Sequence, residues 1–315
     1  MKKIALVCLS ALAISSLTVL SLAQSAPTNI INNATVNSPT TDLNPANNTA
    51  TTTDKLSYKA DMAVTLSDSL TVVRPLSTDI YTSVLSNAGP STVTELEYTF
   101  TYSTLDFSAF TSFATTSGTL STPTITTVGT NTTVKYTITG LNLANGQSLN
   151  VTMNGTATAN PSPSVLTTAT VKPTGPFNND PVSTMQDPNL TNNTATDTTA
   201  GILEADLSII KVSSGGSSSA TGSIGYMDSK TNQLYTLTIT NNGPSAAQPV
   251  ISIVDTIPLE VTPTNVTGTT CTAGPGSTAG LVCTYDPATR KMTFTYSSAL
   301  PNGSNVIATV PVNIN

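Results

Sequence analysis

The sequence predicts an all-β protein, and three observations predict it. Thr makes up about a fifth of the 315 residues, with abundant Ser, Asn and Val, while His and Trp are absent and only 9% of side chains are charged. Such a composition suits half-buried strands and polar turns rather than helices. Short runs alternate apolar residues with Thr, as in Tyr235, Leu237 and Ile239 or Val306, Ala308 and Val310, which is the period of a strand with one buried face. These runs are separated by Asn-Gly, Gly-Pro and Pro-containing turns and fall into two similar units, the spacing of two tandem immunoglobulin-like β-sandwich domains.

Taken in order, residues 1–23 combine a basic start at Lys2 and Lys3, a long apolar run, and small residues at Ser21 and Ala23 ahead of Gln24. That is the layout of a bacterial-type secretory signal peptide, with no second apolar run to act as a membrane anchor. The mature chain is expected to be secreted or held at the cell surface, with no integral membrane segment. Residues 24–58 form a polar Asn/Thr/Pro segment. Unit 1 covers 59–200 and unit 2 covers 201–315.

The repeat defines the units. "ADMAVTLSDSLTVVRPLSTDIYTSVLSNAGPS" (60–91) matches 205–245 at both ends, the second copy carrying a longer Gly/Ser loop. "LNLANGQSLNVTMNGTAT" (141–158) matches "SALPNGSNVIATVPVNIN" (298–315) without a gap. Self-similarity at this period marks one structural unit used twice.

"ADLSIIK", "YTLTITNNGPS", "VDTIP", a Cys pair, "LPNGS" and "DPNLTNNTAT" together resemble the immunoglobulin-like surface repeat family known as domain of unknown function eleven. The resemblance covers nearly all of 205–315 and is weaker over 60–199, where the Cys pair and "VDTIP" are missing. It implies a secreted structural or adhesive module, not an enzyme.

One segment is out of place. Unit 1 continues beyond Thr158, the partner of Asn315, through "TTATVKP" to "DPNLTNNTATDTT" (187–199), and unit 2 has no counterpart of that stretch. A similar stretch stands near the start instead, as "NNATVNSPTTDLNPANNTATTTD" (32–54). A sandwich without its last strands exposes a groove and a sheet edge. Three readings are open: the segment completes unit 2 of another molecule by strand addition, it is a disordered leader, or it folds back on its own molecule. Only about five residues tether it to unit 1, a reach of about 18 Å, which works against the last. Head-to-tail strand addition that does not close gives a filament.

The sequence offers little chemistry. Without His a Ser triad has no base, and the carboxylates are scattered, so no enzyme, cofactor or metal site is expected. A net charge of -6 argues against nucleic acid, which demands a basic patch. Cys271 and Cys283, spaced around a Gly-Pro-Gly turn, read as a disulfide in an exported protein; a metal pair lacks further ligands.

Lys211 follows Leu207 and Ile209 on one strand face, and Asp255 follows Ile251 and Ile253 on another, so both point toward the core. Unit 1 has Leu66 at the first position and Thr101 or Tyr102 at the second, so Lys and acid are absent together. A buried ion pair or a snorkelling Lys accounts for them. A self-formed isopeptide bond, as surface Ig-like domains make, is the alternative: Lys211 as nucleophile, Asp255 as acid, and Asn313 or Asn315 as acyl partner. Asn241 is shared with unit 1 as Asn87, which points to a structural role. The expected partners are other copies of the chain or other surface proteins. A carbohydrate-binding module is the rival reading, weakened by an aromatic content of 5%.

Overall fold

The computed structural model describes residues 29–55, 58–174, 185–227 and 231–315; the expected signal peptide lies outside the described residues. Among the described residues, regular structure consists of strands and two single-turn 3-10 helices, and no helix is long and apolar enough to cross a membrane. The chain falls into two compact units, one ending at Ser57 and one beginning at Tyr58.

The N-terminal unit is an antiparallel hairpin of β1 (Asn29–Thr35) and β2 (Thr49–Lys55), with a 3-10 turn at Pro45–Asn47 between them. Every residue of β1 is exposed, Ile30 and Ile31 included.

The second unit holds two sandwiches. The first is built from β3 (Met62–Ser67), β4 (Val72–Val73), β5 (Thr78–Asn87), β6 (Glu95–Ser103), β7 (Phe107–Thr115), β8 (Thr119–Leu120), β9 (Thr124–Val128), β10 (Asn131–Thr139), β11 (Ser148–Ala157), β12 (Val165–Thr174) and β13 (Thr194–Gly201). One sheet runs β3-β5-β11-β7 and the other β4-β13-β12-β6-β10-β8, with β9 also on β10. Alternation sends Leu96, Tyr98, Phe100 and Tyr102 of β6 inward. There Phe100 and Tyr102 meet Tyr81, Phe107 and Phe110 in a cluster of tilted and edge-on rings, the arrangement that ring quadrupoles favour.

The second sandwich uses β14 (Leu207–Ser213), β15 (Gln233–Asn241), β16 (Ile251–Thr256), β17 (Val261–Pro263), β18 (Val266–Thr267), β19 (Thr270–Cys271), β20 (Leu281–Asp286), β21 (Lys291–Tyr296) and β22 (Asn305–Ile314). Its sheets run β14-β15-β22-β17 and β16-β21-β20-β19-β18. Leu237, Ile239, Ile253, Phe294, Val306 and Val310 fill the core. The disulfide is formed: Cys271 and Cys283 face each other across β19 and β20 with Cα atoms 5.2 Å apart.

The two sandwiches share a frame. Met62 pairs with Asn87 as Leu207 pairs with Asn241. Ala159 O accepts a hydrogen bond from Ser245 Oγ at 2.6 Å, Asn160 Oδ1 accepts one from the Ala246 N–H at 2.8 Å, and Arg74 pairs with Glu204, so the two also touch. They differ at one edge. In the first, β12 and then β13 extend the sheet beyond β6; in the second, β16 is the edge strand, and among the described residues nothing pairs with its outer side.

Candidate assembly site: a free sheet edge and a spare hairpin

The first sandwich shows what fills this edge. Strands β12 and β13 form a hairpin whose inward row, Val165, Thr167, Ala169 and Val171, is buried. It packs across β3, where Met62, Val64 and Leu66 are 0%, 7% and 8% exposed. Side chains in its connection pin it down. Asp187 accepts the Asn189 N–H with one oxygen and the Met62 N–H and Asn193 Nδ2–H with the other, while Asn192 Nδ2 donates to Asp61.

The N-terminal hairpin repeats this geometry in its register and at its turn. Thr35 pairs with Thr49 and Ala34 with Ala50, as Thr170 pairs with Thr194 and Ala169 with Ala195. The Val36 N–H donates to Asn48 O at 2.9 Å, and the Val171 N–H to Asn193 O at 3.0 Å. The Asn44 N–H donates to Asp42 Oδ1 as that of Asn189 does to Asp187. The backbone ahead of the 3-10 turn matches too, with φ/ψ of -144°/73° at Asn44 and -131°/80° at Asn189. Bonds from the Asn44 N–H and the Asn48 side chain hold the Asp42 carboxyl below its ordinary value. By this register Ile30, Asn32, Ala34 and Val36 are the counterparts of the buried row of β12. Here, however, they are exposed.

The vacant edge has the matching defect. On β14 the residues equivalent to Met62 and Val64 are Leu207 and Ile209, 44% and 54% exposed. Leu207, Ile209, Ile239, Ile251, Ile253 and Val254 line an open groove of about 200 Å³ between β14 and β16.

Lys211 and Asp255 meet in the same part of the molecule. Lys211 Nζ lies 2.5 Å from Asp255 Oδ1 and 4.5 Å from the centre of the Tyr235 ring. The Asp255 side chain is 6% exposed and that of Lys211 34%, so the ammonium is half-desolvated over a ring face that attracts it. Asp255 Oδ2 is buried without a hydrogen-bond partner, a costly state for a carboxylate oxygen. Burial, then the Asp255 and Glu260 carboxylates, raises the Tyr235 hydroxyl above its ordinary value. The inward rows, Leu96–Tyr98–Phe100–Tyr102 and Ile251–Ile253–Asp255–Ile257, place Phe100 at the Asp255 position. This corrects the expectation of Thr101 or Tyr102, because the turn before β16 is one residue longer than that before β6.

The expected acyl partners lie elsewhere. Asn313 Oδ1 accepts the Asn232 N–H, and Asn315 bonds Thr262 and Leu259. Lys211 is level with Leu237 and Ala308, and the five steps along the strand from Ala308 to Asn313 span about 16 Å. The alternation of Tyr235 with Leu237 and Ile239 places it on a strand face but does not set it beside Lys211; it and Tyr81 stand at the same place ahead of "NNGPS" and "NAGPS".

No family model matches the chain, and no curated protein gives a significant match. Solved structures do. A cohesin module from a family 33 glycoside hydrolase of Clostridium perfringens is 15% identical with a TM-score of 0.32, over 47% of this chain and 100% of the module. The C-terminal domain of the Streptococcus agalactiae antigen I/II polypeptide BspA is 10% identical with a TM-score of 0.29, over 80% and 91%. BcpA, the major pilin subunit of Bacillus cereus, is 11% identical with a TM-score of 0.28, over 61% and 60%. Each is a likeness at low values; the sandwich fold rests on the strand pairings themselves.

Proposed function

We propose that this is a secreted structural protein whose copies join head to tail: the β1–β2 hairpin of one copy adds to the free edge of β16 in the second sandwich of the next. The observation that carries this reading is the correspondence of the two hairpins in register, turn and side-chain bonds. The β12–β13 hairpin shows what such an element does when seated, and the β1–β2 hairpin has the same form with its apolar row in solvent. Backbone pairing along β16 supplies affinity, and Val36 meeting Leu207, Ile209 and Ile253 supplies fit. Each Ile or Leu side chain fully buried this way contributes about 1.5–3 kcal/mol. Giver and receiver are different surfaces, so the contact is heterologous and propagates as a fibre unless the rotation closes a ring.

The test is deletion of residues 29–55 with imaging by negative stain. The intact protein is expected to form filaments, and the deletion to abolish them and to lower the melting temperature of the second sandwich alone. A free peptide of residues 29–55 should restore that melting temperature. An intact protein that stays monomeric at high concentration, with melting indifferent to the deletion, overturns the reading.

A further inference from the structure

The head-to-tail reading has a chemical consequence at Lys211, and the inference here rests on that reading. In the first sandwich Phe100 pairs with Ala169. Asp255 takes the Phe100 position and Ala34 the Ala169 position, so a seated hairpin sets the small Ala34 opposite Asp255. The next inward residue of β1 is Asn32, the counterpart of Thr167. Diagonal neighbours on one sheet face lie about 7–8 Å apart at Cα, within reach of side chains the length of Asn and Lys.

A second correspondence points to the same spot from the other sheet. Thr167 is 1% exposed, and its hydroxyl, which has no hydrogen-bond partner, lies near that of Tyr81. The counterpart of Tyr81 is Tyr235, the ring under Lys211 Nζ. A hairpin seated on β16 as β12 is seated on β6 therefore delivers the Asn32 carboxamide to the Lys211–Asp255 pair, where Asp255 Oδ2 has no partner of its own.

We infer that Asn32 of one copy is the acyl partner of Lys211 in the next, and that Asp255 converts the seated hairpin into an intermolecular isopeptide bond. Lys211 passes one ammonium proton to Asp255, and its neutral amine attacks Asn32 Cγ. Asp255, now the acid, protonates the carboxamide as the new C–N bond forms. The old bond to Nδ2 breaks, and ammonia leaves with the remaining proton as ammonium. A lysine ammonium and a primary amide become a secondary amide and free ammonium, with Asp255 returned to its carboxylate and no oxidant or other reactant. Burial by the hairpin does two things: it removes water from the pair and holds amine, acid and carbonyl in contact, the conditions under which such an attack becomes effectively unimolecular.

The experiment is denaturing electrophoresis of assembled full-length protein, followed by peptide mapping, on wild type, Asn32→Ala and Lys211→Arg. Wild type is expected to give a ladder of multimers that survives boiling in detergent, and a linked peptide pair joining Asn32 to Lys211 with a mass short by one ammonia. Asn32 sits on an exposed strand, so Asn32→Ala leaves the fold intact; it should still form filaments but dissociate wholly to monomers in detergent. Asp255→Asn should slow ladder formation while filaments persist. Wild-type filaments that dissolve to monomers of unmodified mass overturn the inference and leave the head-to-tail reading standing. A link to a residue other than Asn32, or an ammonia loss confined to monomers, also overturns it. Absence of filaments in every sample removes the reading beneath it.

Discussion

Asn87 and Asn241 do the same work in their two sandwiches. Asn241 is fully buried, donates from Nδ2 to Ser245 O and Leu300 O at 2.8 and 2.9 Å, and accepts the Gly243 N–H; Asn87 does this with Ser91, Leu143 and Gly89. The glycines are constrained as well: a Cβ on Gly243 would sit 2.2 Å from Asp206 N, and one on Gly89 2.3 Å from Asp61 N. That close approach explains why the Ala-Asp pair and the Asn-x-Gly-Pro-Ser turn occur together in both copies. Asn241→Ala leaves the Ser245 carbonyl and the Gly243 N–H without their partner, while the Leu300 carbonyl keeps the Ala247 N–H. It should cost about 2–4 kcal/mol, read as a lower urea midpoint for the second sandwich with the first unmoved. Gly243→Ala should be at least as harmful, since only backbone could move aside.

At the scale of elements, the second sandwich closes one end of its β16 sheet covalently. The Cys271–Cys283 bond joins facing residues of β19 and β20 across a sequence separation of 12, and the short strands β18 and β19 carry few pairings beyond it. Restricting a loop of this size in the unfolded chain is worth about 2–3 kcal/mol. Replacing both cysteines by Ser should lower the thermal midpoint of the second sandwich, measured by calorimetry, and leave that of the first unchanged. Equal shifts in both would show that the two sandwiches unfold as one cooperative unit. Among the described residues the opposite edge of that sheet has no such brace, and it is there that the apolar side chains of β14 stand open.

For the whole molecule, acid is expected to separate the two sandwiches. Burial, aided by the nearby Asp68 carboxylate, raises both Asp79 and Asp197 of the first sandwich above the ordinary 3.8. Asp79 is 3% exposed with Oδ2 unpaired, while Ser77 donates to its other oxygen. A carboxyl with a raised folded value holds its proton longer in the native state. The stability it confers is fully present below 3.8 and is lost as pH climbs through the raised folded value. In the second sandwich Asp286 moves the other way, lowered by the Thr289 hydroxyl and the Ala288 N–H; its contribution is present above 3.8 and is lost as pH falls through the lowered folded value. Acidifying from neutral toward 4 should therefore raise the melting temperature of the first sandwich relative to the second. Asp79→Asn should raise that melting temperature at neutral pH and flatten its pH dependence. An unchanged pH profile in that variant would remove Asp79 as the source.

The all-β class, the two units and the Cys271–Cys283 bridge were legible because each is local: a period of two, a repeated string, a Cys spacing around a turn. The likeness of 32–54 to the stretch closing unit 1 was legible for the same reason, since the Asp, Asn and Thr that shape the turn recur in order. What the sequence withheld was everything that depends on which strand lies beside which. Leu207 and Ile209 read as core because their strand alternates like β3; among the described residues no strand lies beside β16 to cover them. Lys211 and Asp255 could be suspected of meeting, but Tyr235 beneath the amine, the unpaired Asp255 oxygen and the distance to Asn313 belong to register across sheets. A strand's own residues decide which side chains share a face, while the partner across the edge decides whether that face is buried, and that partner is set by tertiary pairing alone.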